Sequence, residues 1–239
     1  MTNTMHRQGC CQSLNKDWVI FTHSAAGYNK KGSGPLHKKF AEICLKHRPS
    51  NMGIGEFNRN KTNLVKELLK DRSESTLYKN GDATEEQINN WKQTIEKMGE
   101  EHAYFVFSHA DRIQSAIKEV KEADLGVCVC INALYEESDV LLREVGIIRH
   151  TVQHSLGFHG DKRKLPSDDV LEISTMCGHG MVSYNLTKTM IENVRQGKMT
   201  PERAGEYLMK TCSCGIFNPV RAADIIKQNI NGYETQGQE

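Results

Sequence analysis

AYFVFSHADRIQSAIKEVKEADLGVCVCIN, residues 103–132, is the stretch that decides the fold. Residues 103–108 are an unbroken apolar run of strand length. In residues 110–123, Ile113, Ile117 and Val120 recur at helical spacing. Residues 125–131 form a second apolar run, in which Cys128 and Cys130 alternate with Val127, Val129 and Ile131 and so share one strand face. A strand–helix–strand series of this kind predicts an α/β fold: a mainly parallel sheet with flanking helices and right-handed crossovers.

Working toward the N-terminus, residues 18–22 (WVIFT) read as another strand. It runs into a loop rich in Gly, Ser and Lys, AAGYNKKGSGP. Pro35 then suits the first turn of a helix carrying Leu36, Phe40, Ile43 and Cys44. Leu64, Leu68 and Leu69 predict a helix over residues 61–70. Asn80-Gly81-Asp82 breaks the chain, and the capping box Thr84-Glu85-Glu86-Gln87 starts a helix that Gly99 ends.

Working toward the C-terminus, a helix is expected over residues 136–145 and a returning strand over 147–155. After Gly160 the composition changes. Ser167 can cap a helix over 168–173, a second follows over 181–195, and Thr200-Pro201-Glu202 and Asn218-Pro219 open two more. The chain thus divides into an α/β part, residues 1–160, with a ligand crevice at its strand ends, and an all-α cap, residues 161–239, carrying cysteine loops.

Those loops hold the chemistry. Cys177 lies in TMCGHG, and Cys212 and Cys214 lie in TCSCG, both at helix ends where the chain can fold back and bring thiols together. Gly178, Gly180, Ser213 and Gly215 make a poor hydrophobic layer but let backbone crowd around a bound group. The pattern points to a metal site formed by Cys177, Cys212 and Cys214, most simply an iron–sulfur cluster of the four-iron, four-sulfur (4Fe-4S) type. The spacing matches neither the ferredoxin run nor the paired cysteines of a usual zinc module. Zinc, reactive thiols and structural cysteines stay open as alternatives. A fourth thiolate is not evident; His179, Cys128, Cys130 or a non-protein group could stand there. Cys10 and Cys11 read as exposed thiols and Cys44 as core.

Three of the expected strands end in polar residues. If the sheet is parallel, His23, His109 and Asn132 line one crevice beyond the carboxyl ends of the strands. His150 and His154 share a face in either regular structure, but the glutamate of a zinc-hydrolase helix is missing. The catalytic expectation falls on His23, His109, His154 and His179 as proton carriers. The loop before Pro35 has the setting of an anion site, with Ser24, Lys30, Lys31, Ser33 and Asn132 as substrate-binding residues, although it lacks the P-loop lysine.

Formal net charge is only +1, yet residues 30–72 hold eleven Lys/Arg against four Asp/Glu. That basic stretch suits a small anionic partner. It carries few aromatics and no recognised motif, so nucleic acid is not expected. No apolar run approaches the roughly 20 residues of a membrane helix, and the N-terminus lacks a secretory apolar region. Eight cysteines then suggest the reducing cytoplasm. Together these readings describe a cytoplasmic iron–sulfur enzyme acting on a small anionic molecule. A lyase, dehydratase or desulfurising reaction at an open iron, or electron transfer with a redox partner, fits it. A cluster carrier, sensor or assembly protein, and a thiol–disulfide protein using Cys212 and Cys214, are the alternatives.

Overall fold

The computed structural model describes residues 6–55, 75 and 77–236, with side chains described as far as residue 230. The helix expected over 61–70 lies outside the described residues. In chain order the elements begin with α1 (Cys11–Leu14), β1 (Trp18–His23), α2 (Gly34–Lys46) and β2 (Asn51–Ile54). A hairpin of β3 (Tyr78–Lys79) and β4 (Asp82–Ala83) precedes α3 (Glu85–Glu96). Then come β5 (Ala103–Phe107), α4 (Ala110–Ala123), β6 (Cys128–Asn132) and α5 (Tyr135–Glu144). Four helices close the chain: α6 (Asp168–Ser174), α7 (Tyr184–Arg195), α8 (Pro201–Thr211) and α9 (Pro219–Gln236).

The α/β class holds, but the expected parallel sheet does not form. The sheet has the order β2-β5-β1-β6, and every neighbouring pair is antiparallel. Two strand–helix–strand units, β1-α2-β2 and β5-α4-β6, interleave. Each unit's own strands run parallel, but a strand of the other unit sits between them, the split arrangement of a β-α-β-β-α-β plait. Continuous apolar runs usually mark parallel strands because both faces are covered. Here the central antiparallel strand β1 is buried on both faces, from Trp18 through Thr22, so its sequence looks the same.

One face carries α2 and α4. Phe40 of α2 meets Phe105 of β5 edge-on, with ring centres 5.8 Å apart, and Ile20, Ile43 and Ile113 fill in around them. Each such side chain contributes on the order of 1.5–3 kcal/mol on burial. On the opposite face the helical layer α6–α9 sits over β2. The Asn51 carboxamide donates to the Phe217 carbonyl at 2.7 Å, and a Cβ on Gly53 would collide with the Cys214 carbonyl. One hydrophobic cluster runs through both layers.

Capping is as expected at Thr84 and Thr200, whose side chains accept the Gln87 and Arg203 amides. The Asn80-Gly81 break proves to be a tight hairpin turn, with φ of 52° and 81° at the two residues. Residues 147–155, expected as a strand, form no regular element. They leave the sheet and wall a cavity beside β6. Among the described residues, no helix is long and apolar enough to cross a membrane.

Candidate metal centre and the cavity beside it

Helix ends bring the three C-terminal thiols together. Cys177 sits in the turn after α6, and Cys212 ends α8, its amide bonded to the Met209 carbonyl. Cys214 lies in the turn before α9. Gly215, at φ 73°, lets that turn press against the Met52 carbonyl and Gly53 of β2. Cys212 Sγ lies 3.6 Å from Cys214 Sγ, and Cys214 Sγ lies 3.6 Å from His179 Nδ1. Cys177 completes the chain through its contact with Cys212. All three cysteines are buried, while His179 and Gly180 face solvent.

The electrostatics of the chain are uneven. The Cys212 contact, then burial, hold the Cys177 thiol well above its usual range. At Cys212 the Cys177 contact pulls down, but the Cys214 contact and burial outweigh it and leave the thiol at about 11. Cys214 is lowered, first by its contact with Cys212, against the opposing effect of burial. Backbone N–H groups aim at each sulfur: His179 and Met181 at Cys177, Phe217 at Cys212, and Ile216 at Cys214. Such donors favour the thiolate over the thiol. Cys214 is thus the first of the three to ionise, with two neighbouring thiols beside it. Among the described residues, no group of three or more His, Cys, Asp or Glu side chains stands in ion-holding geometry. The four groups form a chain of contacts, not a closed cage.

The sheet's second face carries this centre at one side and a cavity at the other. Gly53, Tyr104, Phe21 and Cys130 are successive cross-strand neighbours in one row. At about 4.8 Å per strand, Cys130 lies roughly 14 Å from Gly53. Cys128 and Cys130 are therefore not brought to the C-terminal thiols. They line a cavity of about 1150 Å³ with Phe21, His23, His150 and His154.

The antiparallel sheet also disperses the expected crevice. His23, at the end of β1, lies opposite Cys128, whereas Asn132 pairs with Val19 at the other end of the sheet. His109 precedes α4 at that same far end and is exposed. His154 packs its ring on Tyr135, centres 5.4 Å apart. Near the N-terminus of α2, Lys30 and Lys31 are exposed, and the buried Ser33 hydroxyl donates to the Lys30 carbonyl. The Gly34 amide there donates to the Glu100 carboxylate at 3.1 Å, so a protein anion already holds one of the donors. Ser24 is buried, and its hydroxyl has no partner among the described residues.

Sequence reading missed a histidine cluster beside that loop. His23 stacks on His102 at 5.8 Å, and His102 meets the buried His37 edge-on at 4.4 Å. His37 Nδ1 pairs with Thr22 Oγ1 at 2.7 Å. Burial first, then His102, lowers the His37 pKa; Glu100 opposes and His23 assists. Only the sheet order brings the start of β5 beside the end of β1, so no local signal marks this group.

Comparison with protein-family models, with curated proteins and with solved structures gives no match.

Proposed function

We propose that the chain is a metalloprotein whose cofactor is held by Cys177, Cys212 and Cys214, with His179 at an exchangeable position facing solvent. The observation that carries this reading is the contact chain itself: buried sulfurs from two loops, touching in sequence and each met by backbone N–H groups. A packing layer of cysteines has no need of those donors, whereas thiolate ligands do. Binding of a cation would draw off the protons that Cys177 and Cys212 now keep and close the chain into a cage.

The two expected cofactors fit differently. With zinc–sulfur bonds of about 2.3 Å and zinc–nitrogen bonds of about 2.0–2.1 Å, a tetrahedral site has sulfur–sulfur edges of about 3.8 Å and sulfur–nitrogen edges of about 3.6 Å. Two of that site's six edges are present, at 3.6 Å and 3.6 Å; the others would have to close as the ion binds. A 4Fe-4S cluster seats each thiolate on a different iron, so the sulfurs would have to spread. We therefore put zinc ahead on geometry. The iron–sulfur reading stands second, favoured by a donor set of three thiolates and no fourth thiol within reach.

When bound with an open position, such a centre supplies Lewis-acid chemistry toward an oxygen of a small anionic substrate. In this chain the exposed His179 imidazole would yield that position or carry a proton beside it. Gly178 and Gly180 add no side chain to the approach.

Anaerobic purification from a host that supplies both cofactors, followed by a visible spectrum and iron, sulfide and zinc counts, tests the proposal. Stoichiometric zinc without colour supports the first reading. Colour with matching iron and sulfide supports the second. A colourless chain without metal overturns both.

A further inference from the structure

A second thiol site lies in the cavity at the other edge of the same sheet face, independent of the metal centre. Cys128 is exposed at the start of the edge strand β6, and its Sγ lies 4.0 Å from His150 Nε2. His150 Nδ1 pairs with Thr151 Oγ1 at 2.8 Å. When Nδ1 carries the proton and donates it to that hydroxyl, Nε2 presents its lone pair to the sulfur. Nucleophile, base and orienting group thus follow one another in the order that cysteine catalysis needs. Both Cys128 and His150 line the 1150 Å³ cavity, whose walls include Phe21, Val129, Ile131, Leu134 and Ile147.

We infer that Cys128 is a nucleophile with His150 as its base, and that the cavity receives an apolar acyl group delivered as a thioester. Nε2 takes the Cys128 proton while Sγ attacks the carbonyl carbon. The tetrahedral adduct collapses, the carbon–sulfur bond to the leaving thiolate breaks, and the imidazolium returns the proton to that thiolate. One thioester is exchanged for another, with no oxidant or second reactant. The apolar part of the wall, Phe21, Val129, Ile131, Leu134 and Ile147, would take the acyl chain, while Arg149, Lys121 and other polar residues line the rest. Cys130, two residues on and on the same face, assists. Burial first, then the Cys128 charge and hydrogen bond, push it up to about 11, so it stays a thiol and can donate to the Cys128 sulfur.

Competitive labelling within one molecule tests this. Cys10 and Cys11 are also exposed but meet no imidazole among the described residues, so they serve as internal references. The full chain is treated with limiting iodoacetamide, and separately with S-hexanoyl-N-acetylcysteamine, near neutral pH, and each adduct is placed by peptide mass spectrometry. Cys128 should react about 10²-fold faster than Cys10 or Cys11, within the range of general-base assistance. His150→Gln should remove most of that advantage and make the remaining rate follow thiol ionisation. Equal labelling of Cys128 and Cys10 in the unmodified chain, an undiminished advantage in His150→Gln, or hexanoyl adducts elsewhere than Cys128 would each overturn the inference. The wild-type comparison needs no variant, so a folding defect cannot obscure it.

Discussion

Substituting Asp17 by Asn should unfasten the joint between the sheet and the cysteine loops. Asp17 is buried just before β1 and pairs with both Arg7 and Arg221, the latter at 2.8 Å. The two guanidinium side chains are 3% and 1% exposed, so neither can turn to water for its lost partner. Asn218 ties the same carboxylate to α9, donating to it at 3.2 Å and to the Lys16 carbonyl at 2.8 Å. Arg7 also donates to the Ile216 carbonyl, two residues past Cys214. Removing one partner of a buried ion pair costs about 3–5 kcal/mol, because the remaining charge stays buried. At about 2–4 °C per kcal/mol for a chain of this size, the melting temperature should fall by roughly 6–20 °C. The pH dependence adds a second test. Burial pushes the Asp17 pKa up, but the charges of Arg7 and Arg221, with hydrogen bonds from Arg7 and Asn218, outweigh it and hold the pKa below the usual carboxylate range. The stabilisation is therefore complete above the unfolded pKa of about 3.9 and is lost as pH falls through the lower folded value. Circular-dichroism melts of wild type and Asp17→Asn should differ most near neutral pH and converge in acid. Hydrogen exchange should also speed up over residues 212–217. A melting shift under about 2 °C, or a gap that persists into acid, would refute the reasoning.

Other substitutions probe the site's supports. Gly53→Ala forces a methyl into the Cys214 carbonyl, backbone against backbone. Urea unfolding should show a loss of about 1–3 kcal/mol, and an unchanged midpoint would mean that the cysteine loop does not rest on β2. His37 has a lowered pKa, so its contribution is intact above about 6.5 and is lost as pH falls through the folded value. Wild-type stability should decline below that pH, and His37→Gln should flatten the decline; identical slopes would count against a neutral buried His37. Thr200→Ala removes the cap of α8, the helix that ends in Cys212, and should cost about 1 kcal/mol in the same unfolding assay.

What could be read from the chain alone follows from how local each signal is. Thr84, Thr200 and Pro201 announce their helices because capping is a contact within a few residues. The two cysteine loops were legible for the same reason: small residues at helix ends mark turns, and turns let Cys177 meet Cys212. The strand order was not legible. The sequence shows strand, helix and strand in succession, but nothing local says that β5 inserts between β1 and β2. Residues 51–54, Asn-Met-Gly-Ile, are too short and carry too weak a pattern to read as a strand, although Gly53 is what the Cys214 turn requires. Residues 147–155 carry the apolar Ile147, Ile148 and Val152 and so read as a strand, yet they wall the cavity instead. Losing the parallel order also lost the crevice, because His23 and the His109–Asn132 pair fall at opposite ends of the sheet. The His23–His102–His37 group and the Cys128–His150 pair are long-range consequences of that order.

The most direct test of the metal-centre account is the metal content of five anaerobically prepared proteins: wild type, Cys177→Ser, Cys212→Ser, Cys214→Ser and Cys10→Ser. The account predicts stoichiometric metal in wild type and Cys10→Ser, and its loss or steep reduction in the other three while their folds persist by circular dichroism. Full metal retention in the three C-terminal variants, or its absence from wild type, would contradict it.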